Sequence, residues 1–531
     1  MMKPFFRHTI VLNLLLLIMM TGFAQDWLHT GMTESNRLLL EQRKLQNPLK
    51  EHSSVNLYGM SPYDSLTAKF SQLQVSTDNM YFSFYPSFYL SAGLLKDKKF
   101  VSNNSLGFNA DIAYNASGHT LAMHAGAEVF AGVQPYYMRL LMQKRQLVPG
   151  YLSFKHINRH WNLAYLPDVY VHYQSPWIVN IEAGVGKQFI GDGYRSLFIS
   201  RNSDPYPYAR MSADFHNVHY QMNWLWLNNA DLQNYNPTGK KYALMHYLNW
   251  NMHPRVSVGL FESIVWTGEN RTGYEWQYLN PFIFFRPVEY SIGSGDNALL
   301  GLNLRIGLVE NLFFYGQFII DDIKVGELAN DIRHRLNPDD DGFNYGWFGN
   351  KYGGQLGLKY HDAFGLDGLY LQLEMNAVRP FVYAHHNVSQ AYTHAYQALA
   401  HPLGANFAEI MGRGGYRFGQ FRIDLMGIYA KSGLSDENNN QGENIFYPVS
   451  DGPNPYYIPA RTYGNEILQG APVDLFYLKA DACWIVPKQN NLELFVSGFY
   501  RKGWESCAVE IVDYGVLVGA RTHPSLLSEM F

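Results

Sequence analysis

Two cysteines, Cys483 and Cys507, are all the thiol this chain carries, too few for a disulfide-stapled scaffold. The strand map developed below sets Cys483 low on one strand and Cys507 in an outer loop, so a bridge between them is not expected. Charge is scarce as well. Asp, Glu, Lys and Arg make up 16% of the residues, against about a quarter in ordinary globular domains. The net charge of −4 argues against nucleic acid as a partner. Beyond the N-terminus no apolar run is long enough to cross a membrane as a helix. No motif recurs at a fixed period, which weighs against a solenoid or propeller. There is no Gly-x-Ser-x-Gly elbow, no phosphate loop and no His-Glu-x-x-His, so an enzyme is not expected.

What the chain has instead is aromatic. Phe, Trp and Tyr reach 16%, with 39 Tyr and 11 Trp, yet the mean hydropathy is only −0.22. Strands that alternate lipid-facing and lumen-facing residues average out in this way. Residues 1–24 read as a secretory signal: Lys3 and Arg7, an apolar core over 10–20, and a small-residue cleavage site ending at Ala24. Residues 25–78 form a periplasmic segment, a plug or a linker, with one short helix over 34–46 stopped by Pro48. From residue 79 to 531 the period is two.

The alternation is regular. Ala298, Leu300, Leu302, Leu304, Ile306 and Leu308 oppose Leu299, Gly301, Asn303, Arg305 and Gly307. Leu369, Leu371, Leu373 and Met375 oppose Tyr370, Gln372, Glu374 and Asn376. In 254–266 Glu262 falls on the apolar face, which predicts a bulge or strand end nearby. Very short connections (115–118, 175–176, 215–217, 253–254, 310–311, 418–419, 488–490) alternate with long ones (133–165, 189–205, 229–240, 267–296, 323–350, 380–403, 431–473). Short periplasmic turns and long outer loops are the habit of outer-membrane barrels, and the count comes to about 18 antiparallel strands. The fold expected is therefore all-β, a transmembrane barrel. Trp224, Trp226, Trp250, Trp266, Trp484, Tyr429 and Tyr500 near strand ends suit its aromatic girdles.

Chemistry is sparse. His385, His386, His394 and His401 have no metal-ligand spacing. Residues 337–342 carry clustered acids without the spacing of a calcium loop. No metal or cofactor is expected. The lumen face mixes signs: Glu182, Arg255, Arg305, Asp321, Glu374, Arg422, Asp424, Lys479, Asp481, Glu493 and Arg501. A selective pore more often shows one sign.

Gly191-Asp-Gly-Tyr-Arg-Ser-Leu-Phe-Ile-Ser, with Pro205-Tyr-Pro-Tyr-Ala-Arg210, resembles the matching segment of the Wzi capsule-assembly family. It resembles still more the RemB-like gliding-motility branch found in Bacteroidetes. The likeness extends through Tyr278-Leu-Asn-Pro-Phe282, Gly293-Ser-Gly-Asp-Asn297, Gln317-Phe-Ile-Ile-Asp-Asp322, Arg379-Pro-Phe381 and Leu399-Ala-His-Pro-Leu-Gly-Ala-Asn406. It implies an 18-stranded outer-membrane barrel of a Gram-negative cell, with polysaccharide attachment on one side of the family and motility or adhesion machinery on the other. The function expected is non-enzymatic: outer loops that bind a surface polysaccharide or other outer-membrane or periplasmic proteins. The alternative is a porin-like channel. Asp192, Arg195, Arg201, Asp204, Tyr206 and Arg210 are the candidate ligand contacts, or else they tie the loop down. Gln317, Asp321, Asp322, Glu374 and Arg379 are the candidate anchors on the wall.

Overall fold

The computed structural model describes residues 41, 49, 52, 54, 73–145, 147–156, 162–229, 239–267, 278, 295–339, 342–450, 452, 458–487, 492–506 and 509–522. Eighteen antiparallel strands form a closed barrel of the outer-membrane type. They are β1 (Met80–Leu95), β2 (Lys99–Ala116), β3 (His119–Val133), β4 (Asn162–Gln174), β5 (Val179–Gly186) and β6 (Tyr206–Phe215). Next come β7 (Val218–Asn228), β8 (Lys240–His253), β9 (Val256–Thr267), β10 (Asn297–Val309), β11 (Leu312–Asp322) and β12 (Lys351–Tyr360). The wall is completed by β13 (Leu369–Val378), β14 (Phe407–Phe418), β15 (Phe421–Leu434), β16 (Ala471–Ile485), β17 (Glu493–Ser506) and β18 (Val509–Arg521). Each pairs with its sequence neighbours. β1 pairs with β18 from Tyr89–Arg521 to Leu95–Gly515, which closes the ring. Closure joins the first strand to the last, so that most of the wall's backbone is paired strand to strand. Where β18 stops, the short strand Leu73–Ser76 takes over the free edge of β1.

Side chains sort by parity. On β13, Leu373 and Met375 point out and are exposed, whereas Gln372, Glu374 and Asn376 point in and are buried. Apolar exposure outside and polar burial inside is the inverse of a soluble protein, and only hydrocarbon around the wall makes it favourable. The connections predicted as long sit at one end, hereafter the outer end. Two outer hairpins break the expected alternation. The β1–β2 connection is a three-residue 3-10 turn, Lys96–Lys98, and β17 is joined to β18 across only 507–508. Both flank the seam. Two long connections hold helices that the period-two reading missed: α1 (Tyr136–Arg145), entered directly after Pro135, and α2 (Val325–Leu336).

The bulge expected near Glu262 is not there. β9 pairs with β8 without a break past His246–Glu262, and the irregularity falls between Trp250 and His253. Glu262 does point outward, but it is buried. On this face Tyr278, from the β9–β10 connection, packs on Trp266 at 5.0 Å beside Met222, Leu244 and Ile264. Protein rather than lipid covers this patch, which is why a carboxylate is tolerated in register.

The signal sequence expected over 1–24, the helix expected over 34–46 apart from Glu41, most of the 267–296 connection and Cys507 lie outside the described residues. Cys483 is buried and free.

Candidate functional site

The main apolar core lies within the ring. Ile190, Leu197, Phe198 and Ile199 from the β5–β6 connection pack with Val382, Tyr383, Tyr392 and Leu399 from β13–β14, and with Ile445 and Phe446 from β15–β16. Phe198 stacks on Phe261 of the wall at 4.6 Å with the rings nearly parallel. Three outer connections thus fold inward and share one core.

Polar wall residues receive the first of these, 187–205, by its backbone. Glu374 accepts the N–H of Tyr194 at 2.7 Å and of Arg195 at 3.1 Å, and the Tyr315 hydroxyl at 2.8 Å. Gln317 accepts the Leu197 N–H at 2.8 Å and donates to the Ile190 carbonyl at 3.2 Å. Gln355 donates to the Arg195 carbonyl at 3.0 Å. The close approach needs two glycines. Gly191 has φ +148°, and a Cβ there would lie 2.6 Å from Gln317 Nε2; one on Gly193 would lie 2.6 Å from Glu374 Oε2. This gives Gly191-Asp-Gly193 its physical meaning.

The predicted ligand contacts are themselves buried, Arg201 only partly. Asp192 accepts from Asn303 at 2.9 Å. Arg195 Nε lies 3.8 Å from Glu409, and its guanidinium stacks over Tyr194. Arg201 lies over Phe189, and its carbonyl accepts from Lys187. Asp204 accepts from the Gln397 amide, whose oxygen is already engaged by the Gly150 N–H. Burial lifts the Asp204 carboxyl to about 7, with the Gln397 bond and Lys187 pulling the other way. The Tyr206 hydroxyl accepts the Gln188 N–H, and its ring meets His394 edge-on. Arg210 belongs to the wall, where it forms a 2.7 Å ion pair with Glu182, which also accepts from Tyr208.

Among the predicted anchors, Gln317 and Glu374 hold the β5–β6 loop as described. Asp321 accepts the Tyr383 N–H at 2.7 Å and so holds the β13–β14 loop instead. Arg379 donates to the Asn465 carbonyl and lies 3.8 Å from Asp331 of α2. Asp322 accepts the Ile323 N–H at 2.9 Å. Sequence reasoning missed Glu409, Gln355 and Tyr383, and weighed His401 only as a metal ligand. Inward parity was the available signal for Gln355 and Glu409, on wall strands; Tyr383, in the β13–β14 connection, offered none. His401 accepts the Leu403 N–H on Nδ1 and meets Glu409 through Nε2 at 3.0 Å. It is thus a neutral tautomer, and burial lowers its pKa. His394, which accepts the Asn228 N–H, is driven to about 3 by burial and then by Lys241. His385 and His386 lie ring to ring at 4.0 Å, whereas His394 and His401 have the separate partners just given. Among the described residues no group of three or more His, Cys, Asp or Glu is placed to hold a metal ion.

The chain before the barrel reaches the same chamber. Ser54 accepts the Gly191 N–H through its carbonyl and the Tyr247 hydroxyl through its side chain. His52 meets Asn249, and Glu41 pairs with Lys359.

No protein-family model and no curated protein matches the sequence. Among solved structures, the chain is similar to Wzi of Escherichia coli, an outer membrane protein involved in group 1 capsule assembly and described as a carbohydrate-binding β-barrel. The identity is 16% over 82% of this chain and 84% of that one, with a TM-score of 0.49. It is also similar to OprD of Pseudomonas aeruginosa (9% identity, 84% and 95% coverage, TM-score 0.43) and to OpdQ of the same organism (7%, 84% and 98%, TM-score 0.42). The fold stands on the strand registers, not on these likenesses.

Proposed function

We propose that this chain is a non-enzymatic outer-membrane barrel whose inturned loops form a fixed platform for a surface polysaccharide or a protein partner, rather than a diffusion channel. The observation that carries the reading is the shared core of the β5–β6, β13–β14 and β15–β16 connections inside the ring. A pore needs a continuous water path, and apolar side chains packed together across the lumen oppose one. Asp192, Arg195, Asp204 and Tyr206 then set the platform from beneath, and the partner meets outer residues of the same loops, such as His386, Asn387, Asn438 and Arg461, which are exposed. A capsule-type role, as in Wzi, and a motility or adhesion role both fit such a platform. The signal over 1–24 would deliver the chain to the periplasm, and residues 25–78 would seat beneath the platform.

Planar-bilayer recording of the purified full chain tests the reading. Small or absent steady conductance is expected. A large steady conductance from the intact protein would turn the assignment to the porin-like alternative.

A further inference from the structure

Helix α2 follows the outer end of β11 after only Ile323 and Lys324. Its inner side is bolted to the loops. Asp331 accepts the Gly346 N–H at 2.6 Å and the Asn350 amide at 2.9 Å. Glu327 accepts the Tyr463 hydroxyl at 3.3 Å. The His334 ring stacks flat on Tyr345 at 3.5 Å. Residues 327, 331 and 334 fall at i, i+4 and i+7, so they define one face.

Val325, Ala329, Ile332 and Leu336 repeat the same spacing on another face, and all four are exposed. Val325 is 79% accessible and Leu336 is 80%. Arg333 and Arg335, also exposed, flank this stripe on its two sides. A solvent-facing stripe of this kind is costly in water. An apolar stripe bordered by arginines is instead the pattern of a helix lying in a membrane interface, its apolar face in the acyl boundary and its cations on phosphates. We infer that α2 docks on the outer leaflet and binds an anionic, acylated and phosphorylated lipid there: Val325, Ala329, Ile332 and Leu336 meet the chains, and Arg333 and Arg335 the phosphates. The assignment rests on reading the wall as membrane-spanning.

The test uses the full chain with Cys483→Ala and Cys507→Ala, nitroxide-labelled at Ile332→Cys, at Leu358→Cys on the outer face of β12, or at Asp339→Cys as a water reference. The protein is placed in phosphatidylethanolamine vesicles containing lipid A, and accessibility to oxygen and to a water-soluble nickel complex is read by power saturation. The oxygen-to-nickel ratio at position 332 is expected to be severalfold above that at 339 and to fall when Arg333→Glu and Arg335→Glu are added. If 332 matches 339 while 358 lies in lipid, the inference fails and the barrel reading stands. If 358 also lies in water, the membrane reading itself fails. A 332 label shielded from both reagents would mean a protein contact and overturn the assignment. Unchanged ratios in phosphatidylcholine vesicles would overturn the choice of an anionic lipid. A second measurement keeps the native cysteines: lipid A retained through purification, weighed by mass spectrometry, is expected to drop severalfold in Arg333→Glu/Arg335→Glu, and equal retention would count against the site.

Discussion

At the scale of the residue, Glu374 carries the most. One carboxylate takes two successive backbone N–H groups and a tyrosine hydroxyl, the first bond half-buried and the other two buried. Glu374→Ala strands those donors, at about 1–3 kcal/mol for each one left unsatisfied. The expected result is a marked drop in the unfolding midpoint in detergent micelles. Phe198→Ala opens a cavity in the shared core and is expected to cost about 3–5 kcal/mol in the same assay. Asp204 gives a pH signature. Its folded carboxyl titrates near 7 because burial disfavours the anion, while the unfolded carboxyl titrates at about 3.9. Between these values the folded state binds more protons, so this group's contribution to stability falls as pH rises through the window. Asp204→Asn is expected to flatten the slope of unfolding free energy over that range. An unchanged slope would place the pH dependence elsewhere.

At the scale of the element, the β5–β6 connection shows what the sequence can and cannot say. Its Gly-Asp-Gly turn marks a special backbone, and the parity of β11 and β13 places Gln317 and Glu374 inside the ring. What no local pattern tells is the direction of the fold. Asp192 meets Asn303, more than a hundred residues along the chain, and such pairings are set by closure of the barrel, not by propensity. That Asp192, Arg195, Asp204 and Tyr206 tie the loop down was one of two readings open from sequence; their burial decides between the readings only once a wall is seen to receive them. Helix α2 was legible in principle from the spacing of Val325, Ile332 and Leu336, but a period-two reading of the flanking strands passes over it. Gly193→Ala puts a methyl against Glu374 and the Arg195 carbonyl. It is expected to loosen the 187–205 loop, seen as new protease cleavage there while the barrel stays intact.

At the scale of the whole molecule, the ring depends on every strand. Removing residues 509–522 leaves β17 and β1 with open edges, which hydrocarbon does not tolerate. Such a truncation is expected to yield no detergent-resistant folded monomer on unheated gels. Shortening 192–200 instead keeps the wall and removes part of the inner core, so steady bilayer conductance is expected to rise above that of the intact chain. The seam has its own consequence. β1 meets β2 along its whole length, but it meets β18 only from Tyr89 to Leu95, with Leu73–Ser76 filling in beyond. The bonds between Phe88 and Thr522 join residues 434 apart in the chain. Closing so long a loop has a high entropic cost that only the other strands' prior pairing reduces. The seam is therefore expected to be the last ladder to zip during assembly, so that the closed ring follows the pairing of the other strands.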